Sequence, residues 1–335
     1  MRNILASLRT KSARFLQPGT ALFASTASLT VCVLLAFISV FLGQWEESLL
    51  IQTNGYIALI DIGNSVLFLV AVDRSTRSAD TTFNYGYGKY ESLAILVSAN
   101  LLTIVTIFTI IHAISLFREP PAGSNYLLLL IWSSVSFFIM RLTARRLERS
   151  ANRLFVPMLR YDAELWRVDS WVELGVLISL LAEALLESSG WFTAATTIDA
   201  VASIALLGLT LKVPLRHGAE AFRHLTDRTL PDDMQSDIMN IIQSVEHKIY
   251  ALKAVHTRQS GKDIFIEIDI VMPGSLTLNE LYNVEEELLA KIRKRFPTAI
   301  PRVYTTPSAI PDQAHGKPPD PGSTASSLPQ SEQSD

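Results

Sequence analysis

Carboxylates inside long apolar runs are the residues of this chain best placed to do chemistry. Asp61 lies between Leu59-Ile60 and Ile62-Gly63. A carboxylate at mid-bilayer costs at least ~2.5 kcal/mol to insert, so such residues ordinarily face a protein interior and mark the path of an ion or proton. Asn64 and Ser65 follow at i+3 and i+4, which puts them on the same face of a helix. Asp169 and Glu173 are spaced i, i+4 in a second run, and Asp162 lies two turns back on that face. Two helices can therefore turn carboxylate faces toward each other. Asp61, Asp169 and Glu173, with Asn64 or Ser65, make an oxygen-rich set suited to a divalent cation. Other readings fit some of these residues. Asp61 also suits a buried acid paired with an arginine or held protonated, and Glu173 a polar contact between helices. Asp162 and Glu164, beside Arg160, are expected as solvated ion pairs near a membrane face, and Asp199 as a structural cap. His112 reads as interfacial. His217, His224 and His247 have no ligand-like spacing beyond the gap between the first two. Trp166, Trp171 and Trp191 read as packing or interfacial anchors.

The elements that must carry these residues follow from composition. Apolar residues make up 49% of the 335 and charged residues 18%, and the mean hydropathy is +0.27. Soluble domains average about 25% charged, so the chain reads as a membrane protein rather than two soluble domains. The net charge of −3 gives no reason to expect nucleic-acid binding. One cysteine, Cys32, excludes a disulfide framework and any cysteine-based zinc finger or iron–sulfur cluster. No nucleophile–base pair or phosphate loop is present, so no enzyme and no catalytic residue is expected.

About 20 apolar residues cross a bilayer. Candidate spans are Leu22 to Leu42, Ser48 to Val72 around Asp61, Ser92 to Phe117, Ala122 to Met140, and Ser188 to Leu211 around Asp199. A weaker stretch, about Leu159 to Leu186, holds Asp162, Glu164, Arg167, Asp169, Glu173 and Glu183. Lysine and arginine decide whether it spans. Residues 1–20, 73–91, 141–160 and 212–230 hold seventeen, whereas the alternate connections hold only Arg118. That asymmetry alternates cleanly only with six spans, which places both termini in the cytoplasm. No signal peptide is expected, because the first apolar run is too long and lacks a small-residue cleavage site.

Residues 230–307 change character. Pro231-Asp-Asp opens an amphipathic helix to about Glu246. Ile249 to Thr257 reads as a strand and Gln259 to Asp263 as a turn. Phe265 to Val271 alternates with period two and reads as a half-buried strand. Thr277 to Phe296 is a second helix, acidic before basic along its axis, and Arg302 to Thr305 a short last strand. The order is αββαβ. From Ser308 the chain is rich in Pro, Ser, Gly and Gln and is expected to be disordered. The expected fold is a membrane all-α six-helix transmembrane bundle with a C-terminal cytoplasmic α+β, ferredoxin-like domain. Its segments are residues 1–19 (cytoplasmic N-terminal segment), 20–217 (six-span domain), 218–307 (cytoplasmic dimerisation domain) and 308–335 (tail).

Several motifs resemble the cation diffusion facilitators. These are Asp61-Ile-Gly-Asn-Ser, Ser78-Ala-Asp, and Asn84-Tyr-Gly-Tyr-Gly-Lys-Tyr-Glu91-Ser-Leu-Ala. Further matches are Asp169 with Glu173-Leu-Gly-Val-Leu, His224-Leu-Thr-Asp-Arg-Thr-Leu-Pro231 and Thr257-Arg-Gln-Ser-Gly261. The resemblance covers about residues 20 to 307. It implies a homodimeric inner-membrane antiporter that exports a divalent metal in exchange for protons, with the metal as cargo and no cofactor. The family's transport site places two ligands four apart on the second span and two on the fifth. Asp61 and Asp169 match the second of each pair, while the first fall on Ile57 and Leu165. A loop site of some members falls on Asp80, Phe83 and Tyr87, and the cytoplasmic metal positions on Lys253, Asp269, Tyr304 and Thr306. The resemblance thus leaves two outcomes. The site is rebuilt from oxygens as Asp61, Asp169, Glu173 and Asn64, or the chain is a transport-inactive or regulatory homologue acting through dimerisation. A rebuilt oxygen site predicts a weaker zinc preference than that of members with histidine at the place of Leu165.

Overall fold

The computed structural model describes residues 17–45, 49–116, 126–188, 208 and 210–308. Two compact units emerge. The first runs to Leu230 and includes the segments Thr257–Phe265 and Thr298–Ile300. The second comprises Pro231–His256, Ile266–Pro297 and the chain from Pro301.

The first unit is helical. Helix α1 (Ala21–Trp45) starts where the Thr20 hydroxyl accepts from the Phe23 amide at 3.2 Å, an N-cap. It is apolar nearly all round, but its buried stripe is not. Ser25, Ser28 and Cys32 are buried there with Leu35 and Ala36, while Leu34, Phe37, Phe41 and Trp45 point outward. Small buried residues let helices approach closely in a bilayer, where burial of apolar area between helices adds little. Helix α2 (Leu49–Ser75) lies along α1. Helix α3 (Lys89–Leu116) and helix α4 (Tyr126–Leu154) follow. Helix α5 (Pro157–Ser188) packs along α4, and helix α6 (Lys212–Leu225) along α3.

Phe155, with a φ of 55°, turns the chain sharply between α4 and α5. Pro157 then sits at the first helical position, where its missing N–H goes unused. The weak, charge-bearing stretch is therefore part of one continuous helix of 32 residues. Met158, Leu159 and Tyr161 at its start are essentially inaccessible and pack with Phe68, Val72, Leu147 and Ala151. The Tyr161 ring meets Phe68 edge-on at 5.6 Å.

Among the described residues, Ala21–Leu42, Lys89–Ile111 and Leu127–Leu154 are long and apolar enough to cross a membrane. The expected fourth span ending at Met140 is longer than the apolar run, because α4 continues through its arginines to Leu154. Most of the expected sixth span, with Asp199 and Trp191, lies outside the described residues, as do residues 1–16 and the tail from 309.

Beyond Leu230 come helix α7 (Asp232–Gln243), a 3-10 turn (Glu246–Lys248) and strands β1 (Ala251–Ser260) and β2 (Asp263–Met272), whose joining stretch Thr257–Phe265 belongs to the first unit. Helix α8 (Leu278–Arg295) and strand β3 (Ala299–Pro307) follow. The sheet order is β1-β2-β3. All three strands are longer than their sequence patterns suggest. The expected five-residue turn is a tight one at Gly261-Lys262, where Gly261 takes a φ of +60° that a side chain would strain. In β2, Ile266, Ile268, Ile270 and Met272 are buried at every second position. A capping box closes the start of α8: Glu280 N–H donates to the Thr277 hydroxyl, and Thr277 N–H donates to the Glu280 carboxylate at 2.8 Å.

Candidate cation site

A cavity of about 270 Å³ opens within the first unit. Its wall gathers all four residues of the oxygen set: Asp61 and Asn64 from α2, and Asp169 and Glu173 from α5. Ser65, Cys32 of α1, Ser133 and Ser136 of α4 and Asp162 of α5 complete its polar lining. The helical period accounts for this gathering. Asp162, Asp169 and Glu173 recur at seven and four residues, so α5 shows one acidic stripe, with about 10 Å between the first two at 1.5 Å per residue. Asp61, Asn64 and Ser65 recur at three and four on α2.

The side chains differ in their surroundings. Asp169 is exposed although it sits mid-helix, and the surface it exposes belongs to the cavity wall. Asp61 is half-buried. Glu173 is hydrogen-bonded with Ser133. Asn64 is only 3% exposed, and neither its amide nitrogen nor its amide oxygen has a partner among the described residues. Leaving a buried polar group unpaired costs about 1–3 kcal/mol. Both atoms thus stand without a hydrogen bond in a residue of the cavity wall. Among the described residues, however, no three His, Cys, Asp or Glu side chains converge into a group that could hold a metal ion. The acids share a wall without closing on a point.

Two expectations need correction. Asp162 is not a solvated surface acid: it is 4% exposed, lines the cavity, and is hydrogen-bonded with Ser28 and Trp166. Arg160, two residues away, lies on another face of the helix and turns instead to Asn152. Glu164 does form ion pairs, but as a largely buried link to α6. Its carboxylate takes a hydrogen bond from Arg216, and Oε2 lies 3.0 Å from Nε2 of His217. Arg167 pairs with Glu148 and Glu164, which leaves Asp169 free of it.

The positions singled out by resemblance are also placed. Leu165 lines the cavity as an apolar wall. Ile57 lies on α2, its side chain outside the described residues. Asp80 is occupied within its own loop: the Tyr87 hydroxyl donates to Oδ2 at 2.6 Å and the Thr82 and Phe83 amides donate to Oδ1 at 2.8 Å. The Tyr87 hydrogen bond, followed by those amides, holds the Asp80 carboxyl below the usual range. Lys253, Tyr304 and Thr306 are exposed and Asp269 half-buried.

Cys32, Ser133 and Ser136 are polar cavity residues that the sequence does not single out. Asp162 falls on the acidic face by its spacing from Asp169, but its expected solvation does not hold. For Cys32 the sequence holds no signal, because an all-round apolar helix does not reveal which side faces a cavity. Its sulfur adds a donor that is not oxygen.

A helical unit with acids lining an internal cavity, followed by a small helix-and-sheet unit, defines a membrane transporter with a C-terminal domain. The cation efflux transmembrane domain matches residues 25–226, and the cation efflux protein cytoplasmic domain matches residues 230–300. The chain belongs to the cation efflux family, the cation diffusion facilitators. It is similar to the cation-efflux pump FieF of Escherichia fergusonii, at 28% identity over 294 residues, covering 86% of this chain and 93% of that protein. The FieF pumps of Escherichia coli O1:K1 and of Escherichia coli K12 strain DH10B match at the same identity and coverage. The helical unit is thus the transmembrane domain, and the sheet-containing unit the cytoplasmic domain.

Proposed function

We propose that this protein exports a divalent metal cation from the cytoplasm by proton-coupled antiport. The cation enters the cavity between the second and fifth spans, where Asp61 and Asp169 supply charge and Asn64 and Glu173 supply further oxygens. Divalent cations of the hard and borderline classes accept such oxygen sets. Rocking of the helices then exposes the ion to the other side. Protonation of the carboxylates releases it and returns the carrier. The buried, unpaired amide of Asn64 beside these acids is the observation that carries this reading. The remainder of the reading follows family membership and the loop charges: six spans, an inner-membrane location, both termini in the cytoplasm, and a homodimer joined through a ferredoxin-like cytoplasmic domain.

A second reading, a transport-inactive homologue that acts by dimerising, draws on Leu165 in the cavity wall and on the absence of a closed metal group among the described residues. Purified protein in sealed vesicles separates the two. Uptake of zinc, manganese, iron, cobalt and magnesium is measured with and without a pH gradient. Gradient-driven uptake of one or more of these cations supports the antiporter, and none at all supports the inactive homologue.

A further inference from the structure

The exposed side of α4 changes character along its length. Ile131, Val135, Phe138 and Leu142 are exposed large apolar residues, spaced four, three and four apart. Arg145 and Arg149 continue that spacing, and Arg146 flanks it. At about 100° per residue, all seven fall within a sector roughly 100° wide. Leu129, Ser133, Leu147 and Ala151 occupy the opposite side and are buried. The side of α4 that meets lipid tails therefore runs on into three guanidinium groups.

Helix length sets their depth. Leu127–Leu154 is long and apolar enough to cross a membrane. From Leu127 to Arg145 the helix rises about 27 Å at ~1.5 Å per residue, close to the roughly 30 Å of a hydrocarbon core. Arg145, Arg146 and Arg149 thus emerge in the headgroup layer. Arg141, one turn deeper, lies over the Trp171 ring at 5.3 Å, where the ring shields its charge. Neighbouring charges are already occupied. Glu148 is paired with Arg167 at 3.5 Å, and Arg153 donates to the Gly19 carbonyl at 3.0 Å. Arg145, Arg146 and Arg149 are exposed, and their guanidinium groups have no ion-pair, hydrogen-bond or ring partner among the described residues.

We propose that Arg145, Arg146 and Arg149 bind the headgroup phosphate of an anionic phospholipid of the phosphatidylglycerol class, whose tails lie against Phe138 and Leu142. The planar guanidinium fork matches phosphate oxygens two at a time. A zwitterionic lipid carries its own cation beside the phosphate, so three unpaired positive charges favour the lipid with net negative charge. A free phosphate ester has no tails, so a lipid is the occupant that uses both halves of the stripe. The inference needs only that α4 crosses the bilayer, and neither the cation site nor the direction of transport.

Native mass spectrometry of the purified full-length chain in detergent tests it, with phosphatidylglycerol and phosphatidylcholine of identical acyl chains as the probes. The native chain should bind phosphatidylglycerol about tenfold or more tightly than phosphatidylcholine, since each basic residue at a membrane surface is worth roughly fivefold. Raising ammonium acetate should narrow that gap. Arg145→Gln with Arg149→Gln keeps good helix formers. It should cut phosphatidylglycerol affinity about tenfold or more and move phosphatidylcholine affinity less than about twofold. Arg293→Gln with Lys294→Gln, at exposed positions of α8 in the cytoplasmic domain, removes equal charge and should change neither. A native chain that binds both lipids equally overturns the inference, and that result needs no variant to fold. An α4 variant with native affinity for phosphatidylglycerol also overturns it. So does an α8 variant that loses as much affinity as the α4 variant, because overall charge would then account for the preference. Displacement of phosphatidylglycerol by an equal concentration of glycerol 3-phosphate overturns the assignment to a lipid.

Discussion

The indole of Trp166 on α5 donates a hydrogen bond to the hydroxyl of Ser28 on α1, Nε1 to Oγ at 2.8 Å, and both residues are buried. Asp162, one turn before Trp166, is hydrogen-bonded with the same two groups. This three-member cluster ties α1 to the helix that carries the acidic stripe. Trp166→Phe removes the donor while keeping most of the ring volume, and leaves Ser28 and Asp162 short of a partner. It should lower stability by about 1 kcal/mol, read as an earlier thermal transition of the detergent-solubilised chain. An unchanged transition would mean that the cluster does not hold the helices.

Gly88 makes the closest backbone approach in the first unit. A Cβ there would lie 2.3 Å from the Ser260 carbonyl oxygen, a backbone atom that cannot swing aside. Nearby, the fully buried carboxylate of Glu91 accepts a hydrogen bond from the Met158 amide. Gly88→Ala should therefore destabilise the full chain clearly, by about 1–3 kcal/mol as overpacking does, while Gly63→Ala, which meets nothing within 4 Å, should not. Comparing the thermal transitions of the two variants checks this.

In the cytoplasmic domain, hydrogen bonds from Lys248 and Lys291 lower the carboxyl of Glu287 from 4.5 to about 2. A carboxyl lowered in the folded state favours folding above its unfolded value, and that contribution fades as pH falls from about 4.5 through about 2. Glu287→Gln should flatten this part of the acid-unfolding profile, through a small loss of stability above about pH 4.5 that vanishes toward pH 2, small because the pair lies at the surface. Hydrogen exchange of α8 across that pH window reads the difference. An identical profile in the variant would contradict the assignment.

Much of the site is legible in the sequence, and the limits have physical causes. Period fixes which residues share a helix face, so Asp61 with Asn64, and Asp169 with Glu173, fall together on their faces, and all four line the cavity. Period does not fix how a helix is rotated against its neighbours. Sequence does not place Cys32 on a cavity, because α1 is apolar on nearly every side. Spacing from Asp169 puts Asp162 on the acidic stripe, but the neighbouring Arg160 suggests a solvated pair, and sequence does not show that Arg160 faces elsewhere. The strands were underestimated because a two-residue turn at Gly261 lets pairing continue into residues with no alternating pattern.

Leu165 gives a gain-of-function test. It lines the cavity one turn before Asp169, at the place of a ligand in the family pattern. Leu165→His together with Ile57→Asp should raise zinc uptake and zinc affinity, because an imidazole and a carboxylate complete a tetrahedral set. No gain in either would mean that the wall at 165 does not face the bound ion.

The central claim is that Asp61 and Asp169 together hold the transported cation and carry its protons. The direct measurement is metal-triggered proton flux in vesicles containing the purified protein, recorded with an internal pH dye for the native chain, Asp61→Asn and Asp169→Asn. The expected result is a proton flux in the native chain that either single variant abolishes, while both variants remain folded and dimeric. Proton flux in the two variants equal to that of the native chain would contradict it.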